Sequence, residues 1–317
     1  MSTMSDTIER TPFLRWTASL LERFGLSGRT LVIAVPTIWL LVFFLVPFLV
    51  VAKISFSEAA IARPPYLPLY EWLEEGGLQI IVNFGNYLFL WEDSLYISAY
   101  LSSIKIAAIS TIFCLLIGYP MAYFIARSNE QTRNVLLMLV ILPFWTSFLL
   151  RVYAWIGFLK GNGIVNNALM SLGIISEPLT MLQTDFAVYV GIVYTYLPFM
   201  ILPLYTNLVK LDNDLLEASA DLGAKPFRTF FDVTLPLSVP GIVAGSMLVL
   251  IPALGEFVIP ALLGGPDTLM IGRVLWDEFF SNRDWPVASA VAIAMLVVLV
   301  IPIMLLRNAQ GVSEEGA

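Results

Sequence analysis

Of the 317 residues, 58% are hydrophobic and 13% are charged, roughly half the charge of an ordinary soluble domain at about 25%. The deficit places most of the surface against lipid, and the formal net charge of −7 argues against nucleic acid as a partner. With no histidine and a single cysteine, Cys114, the chain has no Ser-His-Asp or Cys-His catalysis, no H-E-x-x-H zinc site and no internal disulfide.

Residues 1–29 form an N-terminal segment in which Phe13, Trp16, Leu20 and Phe24 recur at helical spacing between arginines. The pattern suits either an amphipathic helix on the membrane surface or a disordered tail. A bilayer core takes roughly 20 apolar residues in a helix, and the apolar runs, charge-free except for Arg151 and Glu256, give six such spans. They cover 30–52, 106–126, 134–159, 186–209, 239–263 and 285–306. The first is too long for the apolar core of a signal peptide, about 7–15 residues, and no small-residue cleavage site follows it, so it reads as a retained helix. Between the first two spans lies a loop, 53–95, rich in acids; a tail, 307–317, follows the last. The spans carry many prolines, including Pro36, Pro47, Pro120, Pro143, Pro198, Pro203, Pro252 and Pro260, each of which removes a backbone donor.

Lysine and arginine counts set the orientation. With the N-terminus inside, ten lie in inner segments and five in outer loops, which places both termini in the cytoplasm. The outer loops are acidic instead, with Glu58, Glu71, Glu74, Glu75, Asp277, Glu278 and Asp284 among their residues. No G-x-x-x-x-G-K-[ST] occurs, so the chain itself cradles no nucleotide and calls for no cofactor.

The inner segment 212–236 is the informative one. Asp212 or Asn213 caps a short helix through Leu222, Gly223 ends it in the left-handed conformation, and Pro226 opens a second helix. Phe227, Phe230 and Phe231 share one apolar face by their spacing, and Leu235-Pro236 ends that helix at the bilayer. Read alone, this is a helical hairpin resting on headgroups or docking a partner.

The segment closely resembles the coupling loop of ABC-importer permeases: Glu-Ala-Ala, three residues, Gly, nine residues, Ile, one residue, Leu-Pro. Glu217, Ala218, Gly223, Leu235 and Pro236 match at the right spacing, with Ser219 and Val233 as small departures. The resemblance runs from about residue 96 to 306 as the permease core, with the first span as the additional N-terminal helix that many members carry. Segments such as 142–147, 151–155, 194–200, 255–260 and 282–286 are similar to the permeases of spermidine/putrescine import systems. The resemblance implies an all-α integral membrane protein of six transmembrane helices in a bacterial inner membrane. It further implies a pair of ATP-binding subunits, a second related permease, a periplasmic polyamine-binding protein and a polyamine cargo, with ATP held by the partner ATPase.

Glu256 is the one acid within a span, by default a functional candidate. It reads either as a counter-charge for a cation, about 24 Å from the inner end at 1.5 Å per residue, or as half of an ion pair with Arg151 or Lys105. Trp145, Tyr153 and Tyr196 suit the ammonium and methylene groups of a polyamine or an interfacial aromatic belt. Asp277 and Glu278 are outer acids that suit cargo, a delivering protein or plain solvation. A self-sufficient secondary transporter, with Glu256 binding the ion, is the alternative function.

Overall fold

The computed structural model describes residues 28–72 and 77–314. The aromatic stretch 13–24, Glu74, Glu75 and residues 315–317 lie outside them.

The chain opens on α1 (Gly28–Leu40), a π turn (Leu41–Leu45) and α2 (Val46–Ser55), which together make one apolar rod. Pro47 follows the π turn. A proline cannot donate to the carbonyl one turn back and clashes with it; the extra residue of a π turn widens the helix there, so the rod continues. A small antiparallel hairpin follows, β1 (Tyr70–Trp72) paired with β2 (Leu78–Ile80), Tyr70 opposite Ile80. It is a minor β element in an otherwise helical chain.

Next come α3 (Gly85–Glu92) and α4 (Ser94–Arg127). The Asp93 carboxylate caps α4 by accepting from the Leu95 N–H at 2.9 Å. At 34 residues, α4 starts well before the predicted 106 and measures about 51 Å, longer than a bilayer core. The predicted third span is not straight. It consists of α5 (Glu130–Ile141), a 3-10 turn (Leu142–Trp145), α6 (Phe148–Leu159) and α7 (Ile164–Ser171), bent by 92° at the break. Pro143 sits in the 3-10 turn, Thr146 is extended, and the Thr146 hydroxyl donates to the Pro143 carbonyl at 2.8 Å. The Thr146 N–H donates to the same carbonyl at 3.3 Å, so backbone and side chain together close the turn.

The remainder is α8 (Asp185–Leu208), α9 (Asn213–Asp221), α10 (Pro226–Thr229), a π turn (Phe230–Thr234), α11 (Leu235–Leu254), α12 (Val258–Leu263), α13 (Ile271–Trp276), a π turn (Asp277–Asn282) and α14 (Trp285–Glu314). Four helices among the described residues are long and apolar enough to cross a membrane: Val32–Ser55, Ser94–Arg127, Asp185–Leu208 and Pro226–Leu254. The bent pair makes a fifth crossing if taken as one, and Trp285–Val300 is a shorter apolar helix. The class is the expected helical membrane protein; the four long helices, the bent pair and Trp285–Val300 overlap the six predicted stretches, with unequal lengths.

Helices α4, α8 and α11 pack against one another at the centre. Ile106, Ile192, Met200, Ile201 and Leu204 are completely buried there. The first rod, by contrast, exposes Trp39, Phe43 and Phe44 along its length, the pattern of a surface in hydrocarbon. Its far end is pinned: α2 packs on α14, and buried Asn86 donates to the carbonyls of Ser55 and Ser57 at 2.9 and 2.8 Å. Ser55 and Tyr87 share a further hydroxyl bond of 2.7 Å. Asn86→Ala leaves two buried carbonyls without a donor, at about 1–3 kcal/mol each. The variant is expected to melt at lower temperature in detergent and to be cleaved faster by protease between residues 56 and 84; an unchanged melt and digestion pattern overturns the pinning role.

Candidate functional site

Two constellations stand at opposite ends of the three central helices. The first is the hairpin after α8. The Asp212 side chain caps α9, accepting from the Asp214 N–H at 3.1 Å. At the other end Gly223 has φ +82°, a conformation that costs other residues about 1–2 kcal/mol. Its N–H reaches the Ala220 carbonyl at 2.8 Å and the Ala224 N–H reaches Ser219 at 3.1 Å, the double bond of a Schellman turn. Pro226 then occupies the first turn of α10. The Ser219 and Thr229 hydroxyls, 2.9 Å apart, tie the two short helices together.

Leu235-Pro236 does not end the second helix. The chain stays helical from Pro226 to Leu254, 29 residues in all, because the π turn Phe230–Thr234 precedes Pro236 as another precedes Pro47. The three rings of the predicted aromatic face stay in contact, Phe231 lying 4.8 Å from Phe227 and 5.1 Å from Phe230; Phe227 and Phe231 are exposed, while half-buried Phe230 also meets Tyr119 edge-on at 5.5 Å. Glu217, Ala218, Leu222 and Phe227 are exposed. Arg127, at the end of α4, donates to the Asn213 side chain, and Arg133 caps α4 by donating to the carbonyls of Ala126 and Ser128 at 3.2 and 3.0 Å. Both guanidinium groups lie at the negative end of that helix dipole. Arg228 and Asp232 form the single ion pair among the described residues, 3.0 Å long and solvent-exposed, contributing no more than about 0.5 kcal/mol.

The second constellation centres on Glu256. The helix expected to carry it stops at Leu254, and Glu256 lies in the break before α12. Its carboxylate satisfies that break. Oε1 accepts from the backbone N–H groups of Val258 and Ile259 at 3.0 and 3.4 Å, and Oε2 accepts from the Tyr196 hydroxyl at 2.5 Å. It is buried, and the expected ion pair with Arg151 or Lys105 is not formed. Arg151 instead faces the rings of Phe144 and Phe148 at 5.5 and 5.8 Å, while Lys105 is exposed. A Cβ on Gly272 would stand 2.4 Å from the Gly255 carbonyl and 2.7 Å from that of Glu256; only glycine lets α13 press on the break this closely.

Two runs of rings lead away from this point, one from Tyr196, which touches the carboxylate, and one from Phe257, its neighbour in sequence. Phe257 stacks on Trp276 at 4.2 Å, and Trp276 meets Phe280 at 4.1 Å. On the other side Tyr196, Phe199 and Phe144 run in sequence at 6.1 and 5.2 Å. The arrangement offers a buried carboxylate with no cation against it among the described residues, next to the ring of Tyr196.

Residues 115–314, which contain both constellations, match the family described as the binding-protein-dependent transport system inner membrane component. The chain belongs to this family. Membership makes it a transport component rather than an enzyme and sets aside a self-sufficient secondary transporter. The chain is 43% identical over 277 residues to the spermidine/putrescine transport system permease protein PotB of Haemophilus influenzae, covering 87% of this chain and 92% of that one. PotB of Escherichia coli is 39% identical over 261 residues, covering 82% and 90%. Among solved structures the fold is similar to a bacterial ABC transporter involved in the import of the acidic polysaccharide alginate, with a TM-score of 0.67 over 92% of this chain and 97% of that one. At 18% identity that likeness concerns the fold.

Within this family member, the sequence-selected residues are brought together unevenly. Glu256 and Tyr196 touch directly. Asp277 and Glu278 begin the π turn after Trp276, one ring away from Phe257. Asp277 is exposed, whereas Glu278 accepts from Tyr96 at 2.8 Å and Asn282 at 3.0 Å. Trp145 and Tyr153 are exposed and have no ring partner among the described residues, so the structure leaves them outside the Glu256 cluster. Phe257, Trp276, Phe199 and Tyr96 were not singled out as site residues; the aromatic neighbours of Glu256 and Asp277 in sequence were the available signal.

The carboxylate geometry separates two substitutions. Glu256→Gln keeps an oxygen for both N–H groups, and its amide can donate to the Tyr196 oxygen. Glu256→Ala removes the cap, a loss of about 0.5–2 kcal/mol. The alanine variant is expected to melt lower in detergent than the glutamine variant, which should stay near wild type; equal melting of all three contradicts the capping role.

Proposed function

We propose that this chain is the transmembrane permease subunit of an ATP-driven polyamine importer, with spermidine or putrescine as the cargo class. The observation that carries the reading is the buried Glu256 carboxylate, held by neutral donors and lacking a cation. Leaving a charge uncompensated at low dielectric is costly, and a protonated amine supplies the missing partner. The methylene spacers of a polyamine suit the ring faces of Tyr196 and of the Phe257–Trp276 stack. The cargo named for the PotB relatives is of this chemistry.

In this reading the hairpin 212–236 docks the ATPase pair, which binds the ATP. Glu217, Ala218 and the exposed pair Phe227 and Phe231 supply the contact, Gly223 the turn, and Leu235-Pro236 the entry into the pathway helix. Support comes from the rigid Schellman turn and from apolar side chains left uncovered at that end. The hairpin end then faces the cytoplasm, as do both termini, and the Glu256 end faces out. A second permease completes a pathway in the core 96–306, a soluble binding protein delivers cargo, and Trp145, Tyr153, Asp277 and Glu278 line the approach.

Two outcomes test this. In cells, Glu256→Gln is expected to reach normal membrane levels while initial uptake of labelled putrescine and spermidine falls most at low concentration; normal abundance with normal uptake rejects the counter-charge. In the purified assembly with its co-encoded ATPase, Gly223→Pro or Glu217→Lys is expected to leave the chain inserted but to abolish most cargo-stimulated hydrolysis. Wild-type stimulation in both variants rejects the docking role.

A further inference from the structure

At the Glu256 end of the molecule, two arginines from segments far apart in sequence line one recess. The loop after α2 turns back on itself through an Ala59–Tyr66 bridge, an Ala60 N–H to Pro65 carbonyl bond of 3.3 Å and a Leu67 N–H to Glu58 carbonyl bond of 2.9 Å. Its tip presents Ile61, fully exposed, and Arg63. The facing wall is the end of the π turn Asp277–Asn282, where Arg283 takes the left-handed conformation at φ 56°. Ring contacts bind wall to loop: Phe279 stacks on Trp285 at 5.0 Å, and Trp285 meets Tyr66 at 6.3 Å. Two adjoining hollows of about 470 and 460 Å3 both include Ala62, Arg63, Pro65 and Arg283 in their walls.

We propose that this recess receives acidic side chains of the soluble binding protein that delivers the cargo. The proposal rests on the importer reading above and adds the place of contact and its chemistry. Neither arginine forms an ion pair among the described residues, so both guanidinium forks are available for bidentate bonds to carboxylates. On the same two segments Glu58 and Asp277 are exposed, and Glu278 and Asp284 are half-buried and accept internal hydrogen bonds. Acids beside the two arginines disfavour an acidic partner set off the recess, which fixes its register more than its affinity. The cationic cargo is excluded from the recess by the same two charges. Those neighbouring acids also disfavour an anionic lipid surface. Exposed Ile61 and Phe280 beside the arginines give the mixture of apolar, aromatic and arginine side chains found at the centres of protein interfaces.

The test uses the complete transporter in nanodiscs and the purified binding protein of the same system, with ATP hydrolysis read against binding-protein concentration. For Arg63→Glu/Arg283→Glu, the concentration for half-maximal stimulation is expected to rise about tenfold or more, the gap narrowing at high salt. Arg63→Lys/Arg283→Lys is expected to retain most of the wild-type response, which separates charge from folding. An unchanged half-maximal concentration in the double glutamate variant overturns the proposal. So does a change that follows the anionic lipid content of the disc and not the binding protein. A wild-type transporter that the binding protein does not stimulate defeats the importer reading itself, a result distinct from either.

Discussion

In hydrocarbon, no water is present to satisfy a backbone N–H or C=O that loses its helical partner. This chain places prolines throughout its spans, so each interruption needs an internal answer. The answers differ by position. At Pro47 and Pro236 a π turn just ahead of the ring keeps the rod continuous. At Pro143 the helix gives way to a 3-10 turn, closed on the Pro143 carbonyl by both the N–H and the hydroxyl of Thr146. Between Leu254 and Val258 the chain leaves helical geometry, and the Glu256 carboxylate accepts the first two N–H groups of the next helix. Ser103 acts similarly nearby, accepting from the buried Ile271 N–H at 2.7 Å.

Glu256 therefore combines two properties that physical chemistry usually separates. As a cap it is satisfied by neutral donors; as a charge it is not, because no cation faces it among the described residues. A glutamine would serve the first need equally well, so the cap alone gives no reason for a carboxylate. A similar asymmetry appears at the other end, where the hairpin is closed by its own cap, Schellman turn and Ser219–Thr229 bond yet leaves Phe227 and Leu222 uncovered. Each end presents a group with no complement among the described residues.

Legibility in the sequence depended on range. The Asp212 cap, the Gly223 turn and the Pro226 start depend on a few neighbouring residues, and all three appear as read. The π turns were not legible, because the Leu-Pro pair signals a stop unless an extra residue lies in the turn before it. That residue lies beyond Phe230, whose N–H still reaches the Pro226 carbonyl, so the turn shifts the register only of the side chains that follow it. The partners of Glu256 were not legible for another reason. Tyr196 lies 60 residues away, and a count of charges within spans suggested Arg151 or Lys105 because opposite charge was the only criterion available. The bend at Ser147 and the early start of α4 escaped for a similar reason, since hydropathy registers composition and not direction.

The unbroken helix from Pro226 to Leu254 has a mechanical consequence. Its 29 residues make a rod about 43 Å long at 1.5 Å per residue, with the exposed phenylalanines at one tip and the Glu256 break immediately beyond the other. A rod of that length pivoting by about 10° carries its far tip roughly 7 Å, more than one helical turn of 5.4 Å. The π turn near its base accommodates Pro236 within the helix, while Pro240 and Pro252 each remove one backbone donor from the rod. An angular displacement of such a rod at the hairpin would appear as translation beside the carboxylate.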